Sequence, residues 1–284
     1  MVRQFNLINE KGQTYSLMDV ENYCLLTSPT GLGFSYSIEY EQLGNTFVQS
    51  LKKIQQGKIA GQVNFSSYEN YRNYVDFIAK SETIKLQYTI PYKEGNKTFY
   101  RDIDISSTSK GEIQPNGFIS EQVDINCKSL WYEKIAQQYQ ISSTSNEVRW
   151  DFRFDSYWSG YTVRDLEYIN TGHIDASLEI VINGECINPN ILLYVEGQLF
   201  QTVSITDTIE EYQKLLYSSK EGNFYIKKQL ANGTEQNLFG LSYIDFENDN
   251  VIRIPPNKDC TISLTAEEDI ESATITIYVY YISV

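Results

Sequence analysis

The sequence predicts a mainly β protein in two parts, with one α-helix in the first part, and three observations carry that expectation. Tyrosine (23 residues) and phenylalanine (13) stand beside many Ile, Val and Thr, side chains that pack well on a pleated, half-buried surface. Apolar residues recur mainly at every second position between Gly, Asn and Pro turn signals, which is the strand period. Charge is uneven: residues 1–134 hold 14 Lys and Arg against 15 Asp and Glu, whereas residues 135–284 hold 9 against 22. A chain of 284 residues buries enough surface for one large domain or two modest ones. The charge step favours two.

In the first half, Gln4 to Leu17 contains two short apolar stretches broken at Gly12, a hairpin signal. Gly31-Leu32-Gly33 begins like a dinucleotide loop but lacks the third glycine and the helix, so it reads as a turn feeding a strand. That strand alternates Leu32, Phe34, Tyr36, Ile38 and Tyr40 with Gly33, Ser35, Ser37 and Glu39, giving one apolar face. Ser66-Ser67-Tyr68-Glu69 fits a capping box, with Glu69 reaching back to the cap amide. Tyr68, Tyr71, Tyr74, Val75 and Ile78 then recur at helical spacing, which docks that face on a sheet in preference to forming a sugar platform. Ile84 to Ile90 alternates, Glu94-Gly95-Asn96 supplies turn chemistry, and Phe99 to Ser106 returns. Ile103 and Ile105 lie on one face of the returning strand, Asp102 and Asp104 on the other. Such a hairpin is either an ordinary sheet edge or an arm that pairs outside its own domain, and pattern alone does not choose.

After Trp131-Tyr132 the composition changes, and Gln137 to Asn146 is polar and poor in core residues. The expected division is therefore a domain over 1–134, a connecting segment over 135–146 and a second domain over 147–284. There, Ala176, Leu178, Ile180 and Ile182 alternate before Asn183-Gly184, and Ile191 to Val195 follows Asn188-Pro189-Asn190. Further strands are expected at Phe224 to Ile226, Val251 to Ile254, Thr261 to Leu264 and Ala273 to Ile282, between turns at Glu221-Gly222-Asn223, Asn232-Gly233 and Pro255-Pro256-Asn257. Many short strands at this spacing mean a β-sandwich or jelly roll.

No catalytic, cofactor or metal site emerges. Cys24, Cys127, Cys186 and Cys260 lie far apart in apolar runs and read as reduced core residues. His173 is the single histidine, which leaves a zinc site or a Ser-His-Asp triad without partners, and no Gly-x-Ser-x-Gly elbow presents a serine. Asp245 to Asn250 spaces acids as a calcium loop would but lacks the glycine, and Pro256 stands at the twelfth position. Trp150, Phe152 and Phe154 alternate as one strand face, while Tyr157, Trp158 and Tyr161 beside acids are the side chains that could stack on a saccharide. The acidic second half repels phosphate, so sequence-specific nucleic-acid binding is not expected. Met1 to Asn6 has no apolar signal region, and no run reaches the ~20 apolar residues of a membrane helix. The chain is therefore expected to stay in the cytoplasm until something assembles it, without membrane insertion.

One ordered series remains. It runs through Asn6-Leu7-Ile8-Asn9, Gly12 and Tyr15-Ser16-Leu17; Pro29-Thr30-Gly31-Leu32-Gly33-Phe34; Gly61-Gln62-Val63-Asn64-Phe65 with Tyr68, Tyr71 and Tyr74. It closes with Tyr100-Arg101-Asp102-Ile103, Lys110-Gly111-Glu112-Ile113 and Ser129-Leu130-Trp131-Tyr132. This order and spacing resembles the amino-terminal half of distal tail proteins, the baseplate hubs of long-tailed bacteriophages and prophages of Gram-positive hosts. Gly184 to Pro189 and the aliphatic strand after it resemble that family's galectin-like carboxy-terminal domain.

The resemblance implies a β-barrel-like ring domain followed by a galectin-like sandwich, in a structural protein and not an enzyme. It implies a hexameric ring at the virion tail tip, joining the tail tube protein to the tail-tip or tail-associated lysin protein and to receptor-binding proteins. It also implies that the Ile84 to Ser106 hairpin reaches a neighbouring subunit; Tyr88, Tyr92, Phe99, Tyr100 and Arg101 are then the expected contact residues, because their types are enriched at interface cores. The alternative is a module that binds host cell-wall saccharide through Tyr157, Trp158 and Tyr161; a hydrolase of that saccharide is the third possibility.

Overall fold

The structure, a computed structural model, describes residues 3–140, 164–240, 242–244 and 251–284, apart from positions 22, 94, 268, 269 and 271. It is mainly β, with one α-helix among the described residues. Contacts divide the chain into a first unit, Met1–Glu133 with Tyr280–Val284, and a second, Lys134–Val279. The last five residues thus belong to the first unit.

The first unit contains β1 (Gln4–Asn9), β2 (Thr14–Ser16), β3 (Met18–Asp19), β4 (Cys24–Thr30), β5 (Tyr36–Leu43), β6 (Thr46–Ile54) and β7 (Lys58–Phe65). Helix α1 (Tyr68–Ala79), β8 (Ile84–Tyr92), β9 (Gly95–Lys110), β10 (Ile119–Cys127) and the start of β11 (Trp131–Gln140), which runs on into the second unit after Glu133, follow. β11 thus continues to Gln140, within the stretch expected to be connecting.

Most of these strands form one antiparallel run, β3-β4-β7-β10-β9-β8-β1-β2, with β11 joining β9 where Tyr132 meets Tyr100. β9 is long enough to serve two partners: Gly95 to Ile103 pairs with β8, and Ile103 to Lys110 pairs with β10. Phe5, Leu7, Leu26, Val63, Phe65, Leu86, Ile103, Ile119 and Trp131 form the buried core of this unit.

Helix α1 covers that core through Tyr74, whose ring lies 5.8 Å from Tyr15 and 5.3 Å from Phe65. Tyr71 and Ile78 pack beside it, whereas Tyr68 and Val75 are exposed. The cap falls one residue later than the capping-box spacing suggests. Ser67 is the N-cap and accepts from the Asn70 amide at 3.2 Å, so Asn70 and not Glu69 holds the third helical position. The Asn70 side chain then donates back to Ser66 Oγ at 3.1 Å, satisfying the turn locally.

The second unit begins with β12 (Arg164–Ile169), β13 (Ser177–Asn183), β14 (Cys186–Ile187), β15 (Asn190–Val195), β16 (Gln198–Ile205) and β17 (Thr208–Ile209). β18 (Lys214–Ser218), β19 (Tyr225–Gln229), β20 (Glu235–Asn237), β21 (Ser242–Ile244), β22 (Asp259–Thr265) and β23 (Ser272–Tyr281) complete it. Two antiparallel sheets, β12-β22-β15-β16-β21 and β20-β19-β18-β13-β23, bury alternate residues such as Ile180, Ile182, Leu193 and Ile262. Val251 to Ile254 is not a strand. Within it only Ile254 forms a bridge, with Ala176, because the Ile252 and Arg253 amides donate to side chains, Tyr217 Oη at 3.1 Å and Gln201 Oε1 at 2.9 Å, and not to the backbone of a neighbouring strand.

Candidate functional site

One element of the first unit lacks the cover its composition calls for. Among the described residues β5 and β6 pair only with each other, from Tyr36 opposite Ile54 to Leu43 opposite Thr46. The turn is Gly44-Asn45, with Gly44 at φ +64 as a tight two-residue hairpin loop requires. A shift in register after Glu39, which lies opposite Leu51 while Tyr40 lies opposite Gln49, makes Ser50 the extra residue, a bulge that strengthens local twist.

Pairing and alternation assign the side chains to two faces. Tyr36, Ile38, Tyr40, Phe47 and Ile54 share one face with Lys52, whose Nζ lies 4.1 Å from the Tyr36 ring centroid. Leu43, Val48 and Leu51 share the other with Glu39, Glu41 and Lys53. Near the turn the apolar side chains are bare on both faces: Phe47 is 69 % exposed, Leu43 62 % and Tyr40 57 %, with Val48, Ile38 and nearby Phe34 also exposed. An isolated two-stranded hairpin is marginal in water, and clustered exposed apolar groups mark interaction surfaces. Exposed apolar side chains thus stand on both faces of this hairpin.

The five residues expected to make subunit contacts are not gathered on one surface. Tyr88 stacks on Phe5, centroids 4.5 Å apart, and packs against the core. Phe99 is buried and meets Tyr281 edge-on at 5.4 Å. Tyr100 is half-buried and stacks on Tyr132 at 5.9 Å. Arg101, 2 % exposed, donates from Nε to the Ser129 carbonyl at 2.8 Å. Tyr92, at the tip, is exposed. The physical reason is that β8–β9 is not an edge: β8 lies between β1 and β9, and β9 also pairs with β10. Its polar positions are satisfied inside the unit, as where Tyr132 Oη donates to Asp102 at 3.1 Å.

Tyr157, Trp158 and Tyr161, the saccharide candidates, lie outside the described residues, as do Trp150, Phe152, Phe154 and the Asp245 to Asn250 loop. Among the described residues, no group of three His, Cys, Asp or Glu could hold a metal ion, and no helix is long and apolar enough to cross a membrane. All four cysteines are buried. Burial pushes the Cys24 thiol up to about 11 and raises Cys127 and Cys260 as well, the opposite of an activated nucleophile.

Residues 4–128 match the family model described as the distal tail protein, N-terminal domain. No curated protein sequence matches the chain. Among solved structures, a chain of the phage P2 baseplate in its activated conformation with calcium is similar over 100 % of both chains, at 15 % identity and TM-score 0.67. The SPP1 Dit protein, described as a paradigm of the hub adsorption apparatus in phages infecting Gram-positive hosts, is similar over 96 % of this chain and 98 % of its own, at 12 % identity and TM-score 0.57. At these identities the likeness establishes fold, and the family model bears on residues 4–128 alone. Residues 4–128 thus match the N-terminal domain of distal tail proteins, within a chain whose fold is shared along its whole length with a phage P2 baseplate chain.

Proposed function

We propose that this distal-tail-type chain is the structural hub of a phage tail tip: copies of its first unit close a hexameric ring, and the β5–β6 hairpin makes the subunit contact. The ring joins the tail tube protein to the tail-tip or tail-associated lysin protein and to receptor-binding proteins, and it performs no catalysis. The observation that carries this reading is a two-stranded hairpin, apolar on both faces and bare in the single chain, on the domain that the family model matches.

A ring closes by head-to-tail contacts, in which one patch of a subunit meets a different patch of the next. A protruding hairpin suits that geometry, because its faces and its unpaired strand edges can both be taken up by a neighbour. Exposed Tyr92, at the β8–β9 tip, is a second contact candidate. Native mass measurement of the purified protein tests the reading: a species of six chains at micromolar concentration is expected, and a monomer at every concentration would refute it.

A further inference from the structure

The root of the β5–β6 hairpin is gripped from both sides by residues far away in sequence. On the incoming chain, Gly31 sits at φ +80, and a Cβ there would lie 1.8 Å from the Lys58 carbonyl oxygen on the outgoing chain. The next carbonyl, of Leu32, accepts from Trp131 Nε1 at 3.0 Å. The Gln55 amide donates to the Ser35 carbonyl at 2.9 Å, and Ser35 Oγ donates to Gln55 Oε1 at 3.0 Å, closing the two chains together. On the outgoing chain, Gln56 Nε2 donates to the Cys127 carbonyl at 3.2 Å, and the Cys127 amide donates to the Gly57 carbonyl at 2.9 Å. A Cβ on Gly57 would lie 2.3 Å from Arg101 Nη2.

Arg101 completes the grip in an unusual way. Its guanidinium carbon lies 5.3 Å from the Trp131 ring centroid, and its Nε is fixed by the Ser129 carbonyl. Its Nη1 is buried and makes no hydrogen bond. Burial without an opposing carboxylate disfavours a charged side chain, and an apolar residue of similar volume would commonly serve stability as well or better. What a flexible apolar chain would not supply is a flat, rigid head, stacked on one ring and set against Gly57, which has no Cβ to obstruct it.

We propose that Arg101, Trp131, Gly31 and Gly57 form a clamp that fixes the direction in which the hairpin leaves its domain, and that ring assembly depends on that direction. This rests on the reading that the hairpin is the ring contact. The lever is long. Nine residues of β6 at ~3.3 Å each give roughly 30 Å, so a tilt of about 10° at the root displaces the tip by about 5 Å, beyond side-chain contact range.

Direction is measured in the dissociated subunit with paired spin labels at Asn45, on the turn, and Glu69, on α1, both exposed. The parent should give one narrow distance distribution. Arg101→Met should broaden or shift it while the melting temperature stays close to the parent's, and the ring should dissociate at a concentration at least about tenfold higher. Gly57→Ala, which displaces the guanidinium without removing it, should act the same way and decides the matter if Arg101→Met fails to fold. An unchanged distance distribution in either folded variant overturns the clamp.

Phe47→Ser separates the two claims. If it breaks the ring and Arg101→Met does not, the hairpin is the contact and the clamp is wrong; if it leaves the ring unchanged, the hairpin reading itself fails. The double variant should assemble no worse than Phe47→Ser alone, because both act through one contact. Full additivity would place the effect of Arg101 elsewhere and overturn the inference.

Discussion

Replacing Phe47 with serine removes the most exposed apolar side chain of the hairpin and leaves the subunit's own core intact. Phe47 is 69 % exposed. With ~200 Å² on an aromatic side chain, about 140 Å² remains to be covered, which at ~25 cal/mol per Å² is about 3.5 kcal/mol. At ~1.4 kcal/mol per decade, losing most of that weakens each subunit contact by roughly 100-fold or more. The subunit should hardly notice, since surface changes away from special features stay within about 0.5 kcal/mol. Sedimentation velocity across a concentration series reads assembly, and thermal melting at a dissociating concentration reads the fold. The expected result is a parent ring at micromolar concentration, dispersed subunits for Phe47→Ser, and matching melts. A variant ring as tight as the parent's would refute the assignment of this hairpin to the subunit contact.

Three further outcomes follow from the first unit. Glu121 is buried opposite Lys110 and faces Tyr71 and Tyr74 of α1; burial raises its carboxyl pKa, opposed by the Thr108 hydroxyl and the Lys110 ammonium. A carboxyl with a higher pKa folded than unfolded destabilises the fold above both values and is relieved as pH falls through its folded value. Glu121→Gln should therefore raise the melting temperature at neutral pH and flatten the curve in mild acid; a lower neutral melt would contradict this. Gly31→Ala meets both a left-handed φ and the Lys58 carbonyl, so it should cost about 2 kcal/mol or more, read as a lower denaturation midpoint; an unchanged midpoint would show that the turn can rearrange. Tyr281→Ala loses the edge-on contact with Phe99 and the hydroxyl bond to Glu133, and should cost about 2 kcal/mol in chemical denaturation. No loss would mean that the final residues contribute little to the first unit.

Local chemistry was legible in several segments that carried their own pattern. The Ile84 to Ile90 alternation became β8, the Ala176 to Ile182 alternation became β13, and the glycine turns at Gly12, Gly184, Gly222 and Gly233 all adopt positive φ. The capping signal named the right turn of chain but the wrong serine, because Ser66 and Ser67 both offer a hydroxyl and only the backbone decides which one caps. β16 went unread since buried Gln201 breaks its apolar alternation; its side chain instead accepts from the Arg253 amide at 2.9 Å.

The proposed contact surface was harder to see for a physical reason. Alternation at Tyr36, Ile38 and Tyr40 shows that one face is apolar; it does not say whether the subunit's own core or another copy covers that face. The aromatic content of β8–β9 suggested an interface by composition, yet Phe99 and Arg101 are buried in their own unit. The clamp joins Gly31, Gly57, Arg101 and Trp131 across about a hundred residues of chain, and no local period reports such a meeting.

The account stands most directly on whether the hairpin touches a neighbouring copy. A photo-activatable side chain placed at Phe47 in the assembled full-length protein should yield covalent adducts between subunits, with a ladder reaching the size of the ring. The adducts should map to a surface other than β5–β6 on the adjoining copy, as a head-to-tail contact requires. Adducts confined to the subunit's own chain, in an intact ring, would contradict the account.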